Sequence, residues 1–341
     1  MAIFLNDYNS VGHPDIIGAI AKSSGDMYAG YGDDRMCECA ADTIRGFVGK
    51  PDAQVHFLAG GTQANLIATA AFLRPHEAVI AASSGHMNVH EAGAIEATGH
   101  KILAAEPSDG KITPEQISHI CAVHSNEHLV KPRLVYISQA TEYGTLYSLS
   151  ELKALRLVCD RLGLLLYLDG ARLGVSLTAS TNDASIEDIA SLVDVFYLGG
   201  TKNGLMFGEA LVIINPTIWD DIRYIIKQRG GLFAKGFLIG LQFDYALKSG
   251  LYLEIPQKAN EQAEKLRDGL SQRGCLFAVD SPTNQIFPVL NNDAVEELSK
   301  DYQFEIWEKF DEARTTIRLV TTWQTTDAEI DMLLGKLDAV L

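Results

Sequence analysis

The chain of 341 residues is short of cysteine, of long apolar runs and of positive charge. Its five cysteines are too few and too irregularly spaced for a disulfide framework, so we expect free thiols in a reducing compartment. The longest apolar run, residues 162–168, is far shorter than the roughly 20 residues of a membrane-spanning helix. The N-terminus lacks the basic and apolar regions of a signal peptide. These absences together predict a cytoplasmic protein.

Positive charge is scarce, with 28 Lys and Arg residues against 44 Asp and Glu residues and a formal net charge of -16. A chain of this charge repels polyphosphate and anionic lipid, so we expect neither nucleic acid nor membrane among its partners. The hydrophobic content of 47% is that of an ordinary globular protein. At this length, we expect one large domain and a smaller one.

Several common catalytic motifs are missing. No GxGxxG follows the first predicted strand, which argues against a nicotinamide-dependent dehydrogenase, and Gly199-Gly-Thr-Lys202 lacks the spacing of a phosphate-binding P-loop. His86 and His90 have the spacing of a metal-binding pair. However, His90 and Glu91 do not continue into HExxH and no third ligand follows at zinc spacing. We therefore expect no metal in the site.

Strand-like and helix-like segments alternate along the chain, which predicts an α/β fold with a largely parallel sheet. Gln54–Leu58 is predicted as a strand that leads through a glycine-rich turn into a helix over residues 66–73, and Ser150 is predicted to cap a later helix. Two apolar runs, residues 164–168 and 193–198, precede Asp169 and the Gly-Gly-Thr-Lys turn. Polar residues thus collect at the carboxyl ends of strands, where open α/β sheets bind ligands.

The pattern changes near residue 250, where a helical stretch ends in Lys248-Ser-Gly250. Amphipathic helices, including one over residues 257–273, and short strands follow. We predict three parts: an N-terminal segment of residues 1–15, a large α/β domain of residues 16–250, and a small C-terminal α+β domain of residues 251–341.

Three features at these predicted strand and helix ends suggest one chemistry: Lys202 in a glycine-rich turn, Asp169 after the preceding strand, and Gly61-Thr62 at a helix start. Each is common alone, since a lysine after a strand is more often a surface residue and an aspartate is often a helix cap. Pyridoxal 5'-phosphate (PLP) needs a lysine for covalent attachment, a carboxylate facing its ring nitrogen, and backbone donors for its phosphate. Together, the three features predict a PLP site.

Motifs along nearly the whole chain carry a family resemblance. They are Asn6-Asp-Tyr8, Gly32-Asp-Asp34, Gly60-Gly-Thr-Gln-Ala-Asn65, His86 with Glu91-Ala-Gly-Ala94, Leu168-Asp-Gly-Ala-Arg172, Thr201-Lys-Asn-Gly204 and Ile317-Arg-Leu-Val-Thr321. The chain resembles the low-specificity L-threonine aldolase family, in its phenylserine-aldolase-like branch, among the PLP-dependent enzymes of fold type I. The resemblance implies the PLP-dependent transferase fold, with a mostly parallel seven-stranded sheet in the large domain. It also implies an aldehyde-lyase that splits L-threonine or L-allo-threonine into glycine and acetaldehyde.

The resemblance also implies a role for each residue that would hold the cofactor. Lys202 would carry PLP covalently, and Asp169 would face the ring nitrogen. Gly61 and Thr62 would bind the phosphate. His86 would stack on the ring and take part in catalysis.

Other implied roles concern the substrate and a neighbouring subunit. Arg172, which also lies in the cofactor-binding set, would hold the substrate carboxylate together with Arg318, a task that suits a planar guanidinium. Asn6 would approach the same carboxylate, although the family usually has a serine there. Lys235, near the position of a family arginine, would bind the phosphate, reaching the site of a neighbouring subunit. The implied assembly is a homodimer or a homotetramer with shared active sites.

The sequence leaves the catalytic base open among His86, His90, Glu91, Glu142 and a water held by them. Glu142 stands where much of the family has a histidine. Another fold-type-I reaction, β-elimination or transamination, is the nearest competing function, and a cofactor-free binding protein is a more distant one. The threo or allo preference and the acceptance of aryl substrates are also open.

Overall fold

The computed structural model describes residues 2–218 and 220–339 and builds them into three sheets with helices around them. The strands are β1 (Ala2–Ile3), β2 (Gln54–Leu58), β3 (Glu77–Ala82), β4 (Ile102–Ala105), β5 (Lys131–Ser138), β6 (Leu165–Asp169), β7 (Val195–Gly199), β8 (Glu209–Ile213), β9 (Leu276–Phe277), β10 (Gln285–Ile286), β11 (Pro288–Asn291), β12 (Tyr302–Gln303), β13 (Glu305–Lys309) and β14 (Arg314–Val320). The α-helices are α1 (Pro14–Lys22), α2 (Arg35–Val48), α3 (Gly61–Phe72), α4 (His86–Val89), α5 (Pro114–Val123), α6 (Leu149–Leu162), α7 (Leu173–Leu177), α8 (Ile186–Leu192), α9 (Ile222–Gln228), α10 (Phe237–Lys248), α11 (Leu251–Gln272), α12 (Asn292–Ser299) and α13 (Asp327–Leu337). Two short 3₁₀ helices cover Glu96–Thr98 and Pro216–Ile218.

The largest sheet has seven strands in the order β2-β8-β7-β6-β5-β3-β4. The pairs within β4, β3, β5, β6 and β7 are parallel, while β8 runs antiparallel to both of its neighbours. β3, β6, β7 and β8 are buried along their whole length because helices pack on both faces of the sheet. This confirms the predicted α/β class with a mostly parallel seven-stranded sheet.

The side chains of each central strand alternate between two cores, one on each face of the sheet. Leu166, Leu168 and Phe196 belong to one core, and Tyr167 and Tyr197 belong to the other. Because β5, β6 and β7 run parallel to one another, their carboxyl ends lie at the same edge of the sheet.

Helix α11 differs from its predicted range of residues 257–273, because it begins at Leu251 and contains Pro256. A proline lacks the N–H that would bond to the carbonyl four residues earlier, here Tyr252. That carbonyl accepts a hydrogen bond of 2.6 Å from the side chain of Asn203 instead. The proline thus leaves a carbonyl available to the residue that follows Lys202.

The C-terminal sheet has β14 at its centre, paired antiparallel with β10, β11 and β13. Ile317 and Leu319 enter a third hydrophobic core, which also contains Phe4. Arg318 lies between them, so strand alternation directs its side chain to the opposite face. The third core also includes residues of the second half of α11, and the first half of α11 packs in the core of the large sheet. The predicted domain division at residue 250 stays a prediction.

The N-terminal segment crosses from the third core to the large sheet. The backbone of Phe4 bonds to Gln303 and Val320, each at 2.8 Å, and this places the next residues of the segment above the carboxyl edge of the large sheet. None of the helices within the described ranges combines the length and apolar character that a membrane span requires.

Candidate active site

A cavity of about 730 Å³ lies at the carboxyl edge of the large sheet, closed on one side by the C-terminal sheet. It brings together eight of the nine residues that the sequence singles out: Asn6, Gly61, Thr62, His86, Asp169, Arg172, Lys202 and Arg318. The ninth, Lys235, is exposed and lies outside this cavity. A role for Lys235 in a neighbouring subunit stays a prediction.

Asp169 ends β6 as a buried carboxylate, 4% exposed, that accepts hydrogen bonds on both oxygens. Tyr136 donates to Oδ2 at 2.6 Å and Asn65 donates to the same oxygen at 3.1 Å. Oδ1 accepts from the hydroxyl of Tyr197 and from the backbone of Ala171. Burial alone would raise the pKa of Asp169, but the hydrogen bonds from the two tyrosines outweigh it and lower the pKa. The carboxylate is therefore held ionised in a buried place.

Asn65 connects Asp169 to a second buried carboxylate. Its amide nitrogen also donates to Glu91 Oε1 at 2.7 Å, and its amide oxygen accepts from the hydroxyl of Tyr167 at 2.7 Å. The same Oε1 of Glu91 lies 2.8 Å from His86 Nδ1. A continuous chain of hydrogen bonds thus joins His86 to Asp169.

Lys202 follows β7 in a turn whose glycines are required by close packing. A Cβ on Gly199 would lie 2.4 Å from the carbonyl oxygen of Ala171, and a Cβ on Gly200 would lie 2.4 Å from that of Gly208. Burial, together with the positive charge of Arg172, lowers the pKa of Lys202. A lowered pKa increases the fraction of Lys202 that is present as the neutral, nucleophilic amine.

Glu209, the first residue of β8, lies beneath this turn and lines the cavity. Its Oε2 accepts the backbone N–H of Gly200 at 2.8 Å, and Thr201 donates a further side-chain hydrogen bond to it. Burial, which outweighs these hydrogen bonds and the nearby charge of Lys202, raises the pKa of Glu209 to about 8. The turn is therefore fastened to a carboxyl group that can carry a proton near neutral pH.

Helix α3 begins at the cavity, with Gly60 as its N-cap. No side chain in the described part of the chain caps the first turn of this helix. A helix start leaves N–H groups unbonded and carries a partial positive charge, which suits a phosphate. Gly61 is required here, because a Cβ would lie 2.8 Å from the hydroxyl of Tyr197.

Arg172 and Asp7 form a buried, two-pronged ion pair at the side of the cavity. Nε of Arg172 lies 2.7 Å from Asp7 Oδ2 and a terminal nitrogen lies 3.0 Å from Oδ1, while Asn284 also donates to Oδ2 at 3.1 Å. Burial opposes ionisation of Asp7, but the charges of Arg172 and Lys202 overcome it and lower the pKa of Asp7 to about 2. The N-terminal segment is thus fixed to Arg172, three residues beyond the end of β6.

Arg318 approaches the cavity from the C-terminal sheet. One terminal nitrogen pairs with Glu305, the other donates to Gln285 at 3.2 Å, and the guanidinium carbon lies 5.4 Å from the ring centroid of Trp307. Nε is buried and makes no hydrogen bond with any residue that the structure describes. Burial, reinforced by the charge of Arg172, lowers the pKa of Arg318.

Glu142 lies beside His86 and also lines the cavity. Its Oε1 accepts the backbone N–H of His86 at 2.8 Å and the hydroxyl of Ser138 at 2.9 Å. Burial, with a contribution from the charge of Asp169, raises the pKa of Glu142. His90, which also lines the cavity, has its pKa lowered by burial and by the charge of His86.

The sequence analysis missed several residues that shape the cavity: Asp7, Tyr136, Tyr197, Glu209 and Trp307. Some of them carried a signal. Glu209 is the charged start of an otherwise apolar strand, and each tyrosine brings a hydroxyl, which needs a partner when buried, into an apolar strand. Asp7 lies in the motif Asn6-Asp-Tyr8, but nothing in the sequence indicates its pairing with Arg172, and Trp307 gave no signal.

Over residues 2–218 and 220–339, no group of three or more His, Cys, Asp and Glu side chains is arranged to hold a metal ion.

Known structures share this architecture. A threonine aldolase from Leishmania major superimposes with a TM-score of 0.98 at 43% identity, covering 100% of this chain and 99% of that chain. A double mutant of aspartate aminotransferase from Thermus thermophilus gives a TM-score of 0.72 at 14% identity, with 100% and 92% covered, which shows the fold alone. The fold and the site define a PLP-dependent lyase of fold type I.

Sequence comparison gives the family. The model of the beta-eliminating lyase family matches residues 7–326. A low specificity L-threonine aldolase from Pseudomonas sp. (strain NCIMB 10558) is 32% identical over 349 residues, which cover 99% of this chain and 97% of the relative. The chain belongs to the beta-eliminating lyase family, and the resemblance to low-specificity L-threonine aldolases is confirmed.

The cavity itself fits PLP, the cofactor of this class. An ionised, buried carboxylate at Asp169 suits a protonated ring nitrogen, since such hydrogen bonds are charge-assisted. The uncapped start of α3 suits the phosphate, and Gly61 leaves space where a Cβ would meet Tyr197. Lys202 opens into the same cavity with a lowered pKa.

Proposed function

We propose that the protein cleaves the Cα–Cβ bond of small β-hydroxy-α-amino acids, splitting L-threonine or L-allo-threonine into glycine and acetaldehyde. The observation that carries the proposal is the meeting of Lys202, Asp169 and Arg318 in one cavity. The names of the relatives support the choice of substrate. A cofactor-free binding protein would have no use for this combination.

Four parts of the chain would hold PLP. Lys202 would carry it covalently, Asp169 would face the ring nitrogen, the start of α3 with Gly61 and Thr62 would bind the phosphate, and His86 would stack on the ring. When bound, PLP supplies an electron sink for the electron pair that bond cleavage leaves on Cα. The hydrogen bonds that hold Asp169 come from side chains and backbone of the protein itself, so this part of the site is preorganised.

Arg318 would be the main partner of the substrate carboxylate, with Asn6 and Arg172 beside it. Arg172 already holds Asp7 through two hydrogen bonds, whereas Arg318 keeps a buried Nε without a hydrogen bond to a described residue. Fixing the carboxylate sets the orientation of the Cα–Cβ bond, and only a bond aligned with the π system of the cofactor is weakened.

His86 would accept the proton of the β-hydroxyl group, with Glu142 as a second candidate. Glu91 is buried, lies outside the residues that line the cavity, and uses one oxygen for both Asn65 and His86. It therefore supports the site and does not touch substrate. The raised pKa of Glu142 suits a base that works near neutral pH.

The test is a comparison of initial rates on L-threonine, L-allo-threonine, D-threonine and L-phenylserine, with glycine measured. We expect glycine from at least one L-hydroxy amino acid. Pyruvate or another oxo acid without glycine would instead identify β-elimination or transamination. Borohydride reduction of the loaded enzyme followed by peptide mapping should find the cofactor on Lys202, and an unmodified peptide there contradicts the assignment.

We also propose a cytoplasmic homodimer or homotetramer with shared active sites. Exposed apolar side chains near the cavity support an interface: Tyr8 is 53% exposed, and Met206 and Phe207 are each 38% exposed. Lys235, outside the cavity of its own chain, would reach the phosphate of a neighbour. Light scattering should give at least twice the mass of 37.2 kDa, and a monomer with full activity would contradict shared sites.

A further inference from the structure

Asn65 and Glu91 both lie in the sequence motifs, yet neither has a role in binding cofactor or substrate. Both are buried, Asn65 completely, and together they link two residues of the cavity. Asn65 donates to Glu91 at 2.7 Å and to Asp169 at 3.1 Å, and Glu91 in turn holds His86 at 2.8 Å. Tyr167 donates to the amide oxygen, which directs the amide nitrogen of Asn65 at the two carboxylates.

We propose that Glu91 and Asn65 are positioning residues that fix the ring of His86 relative to Asp169 and hold its Nε2 free to accept a proton from the substrate. This inference rests on the proposed function. Neither residue touches the substrate, so each acts through His86 and Asp169.

The chemistry of the contacts sets the tautomer of His86. A carboxylate only accepts hydrogen bonds, so Oε1 of Glu91 accepts from His86 Nδ1 as it does from Asn65. Nδ1 must then carry the hydrogen, and in the neutral ring Nε2 keeps its lone pair. A carboxylate behind a catalytic histidine orients the ring in the same way in many hydrolases.

A purely structural role explains the arrangement less well. Oε2 of Glu91 is buried and has no hydrogen-bond partner in the described part of the chain. A buried, half-satisfied carboxylate is destabilising, so an apolar residue would serve packing better. The backbone after Glu91 is also strained, because Ala92 has a φ of 50°. Such costs are typical of positions that serve a site.

The test compares Glu91→Gln, Glu91→Ala and Asn65→Ala in the PLP-loaded enzyme. Glu91→Gln can keep the acceptor oxygen, and Glu91→Ala removes it. The matched control is Glu77→Gln. Glu77 is another buried carboxylate, at the amino end of β3 and so at the other end of this strand from the cavity, and it accepts the backbone N–H of Arg74 at 2.9 Å. The readouts are kcat and KM for glycine release, the visible circular dichroism of bound cofactor, and the cofactor dissociation constant.

For Glu91→Ala we expect kcat to fall about 100-fold, with KM changed by less than about threefold, because a misplaced base affects the transition state. The circular dichroism band should change while cofactor affinity stays within about threefold. The kcat of Glu91→Gln should be at least about tenfold higher than that of Glu91→Ala. The double variant with Asn65→Ala should be about as slow as the slower single variant, since the two residues act as a unit. Glu77→Gln should match the wild type in all readouts.

Three results would overturn the inference: a kcat for Glu91→Ala within twofold of wild type, a loss of kcat fully matched by loss of cofactor, or additive effects in the double variant. Wild-type enzyme that releases no glycine from any hydroxy amino acid contradicts the proposed function instead. In that case, circular dichroism still decides: an unchanged band in Glu91→Ala refutes the positioning of His86, and a changed band with full cofactor loading supports it.

Discussion

The cavity has two unlike sides, which we call the floor and the wall. The floor, formed by Asp169 and the protein groups that donate hydrogen bonds to it, is buried, and both oxygens of the carboxylate are held in place by these donors. The wall, formed by Arg318 and Glu305 on the C-terminal sheet, is part-exposed, and the side chain of Glu305 is 37% exposed. Nε of Arg318 has no hydrogen-bond partner among the described residues.

The two sides suit different ligands. A carboxylate with fixed donors cannot change partners without a large loss, so the floor suits a resident cofactor. An arginine whose partner is part-exposed can exchange it for another carboxylate at small cost, so the wall suits a substrate that enters and leaves. Predictions that change one side should therefore differ in size and in kinetic signature.

The largest effect is expected from Asp169→Asn, which breaks the floor. The amide would turn an NH₂ group toward hydroxyls that now donate, and the charge that faces the ring nitrogen would be lost. We expect kcat to fall about 10³-fold, as for other preorganised electrostatic contacts. Glycine release and cofactor absorbance measure it. Asp194→Asn, which changes a carboxylate that binds Arg156 at the amino end of β7, should leave kcat within about twofold. Similar losses in both variants would show that the effect is structural.

The floor was the more predictable side from the sequence. Gln54–Leu58 was predicted with the observed bounds, and the apolar runs marked the strand that Asp169 ends and the strand that Lys202 follows. Helix α3 begins at Gly61, whereas the prediction placed its start at residue 66, because the weak helix formers Gly61 and Thr62 in its first turn gave no helical signal. The helix assigned to a Ser150 cap is capped by Ser148, whose partner three residues on, Glu151, completes a capping box.

The remaining features depend on contacts between distant parts of the chain. Asp7 meets a guanidinium 165 positions away, and Asn203 meets a carbonyl 49 positions away that Pro256 leaves available. No local period or motif encodes such pairs. The Arg318 side chain was predictable in type, since a charge between apolar strand residues implies a second face, but its pairing with Glu305 was not.

The next effect tests the wall through Arg318→Gln, which removes the charge and the planar fork. We expect kcat/KM for L-threonine to fall about 100-fold, mainly through KM, because two charge-assisted hydrogen bonds to the substrate carboxylate are lost. Arg314→Gln, on the same strand but paired with Asp311 at the surface, should stay within about twofold. A fall in kcat with KM unchanged would show that Arg318 does not bind the ground-state substrate.

The pH dependence of stability tests the pair at the edge of the floor. The pKa of Asp7 is lowered from its ordinary value of 3.8 to about 2, so its stabilisation is complete above 3.8 and is lost as the pH falls toward 2. The whole shift corresponds to about 2 kcal/mol of unfolding free energy. Urea unfolding should show wild type losing more stability than Asp7→Asn between about pH 5.5 and about pH 3. The control Asp52→Asn, at an exposed aspartate, should track wild type. Parallel curves for Asp7→Asn and wild type would contradict the role of the pair.

The smallest effect should come from Glu305→Gln, which sharpens the contrast between an exchangeable and a fixed partner. Glu305 holds a terminal nitrogen of Arg318 that the substrate carboxylate would take, so weakening that bond should ease substrate entry. A part-exposed ion pair is worth at most about 1 kcal/mol, so we expect KM to fall about threefold with kcat unchanged. Glu308→Gln, at an exposed position of the same strand, controls for lost surface charge. A rise in KM would mean that Glu305 aligns Arg318 for the substrate and does not compete with the substrate carboxylate. The wall would then be a preorganised part of the site, as the floor is.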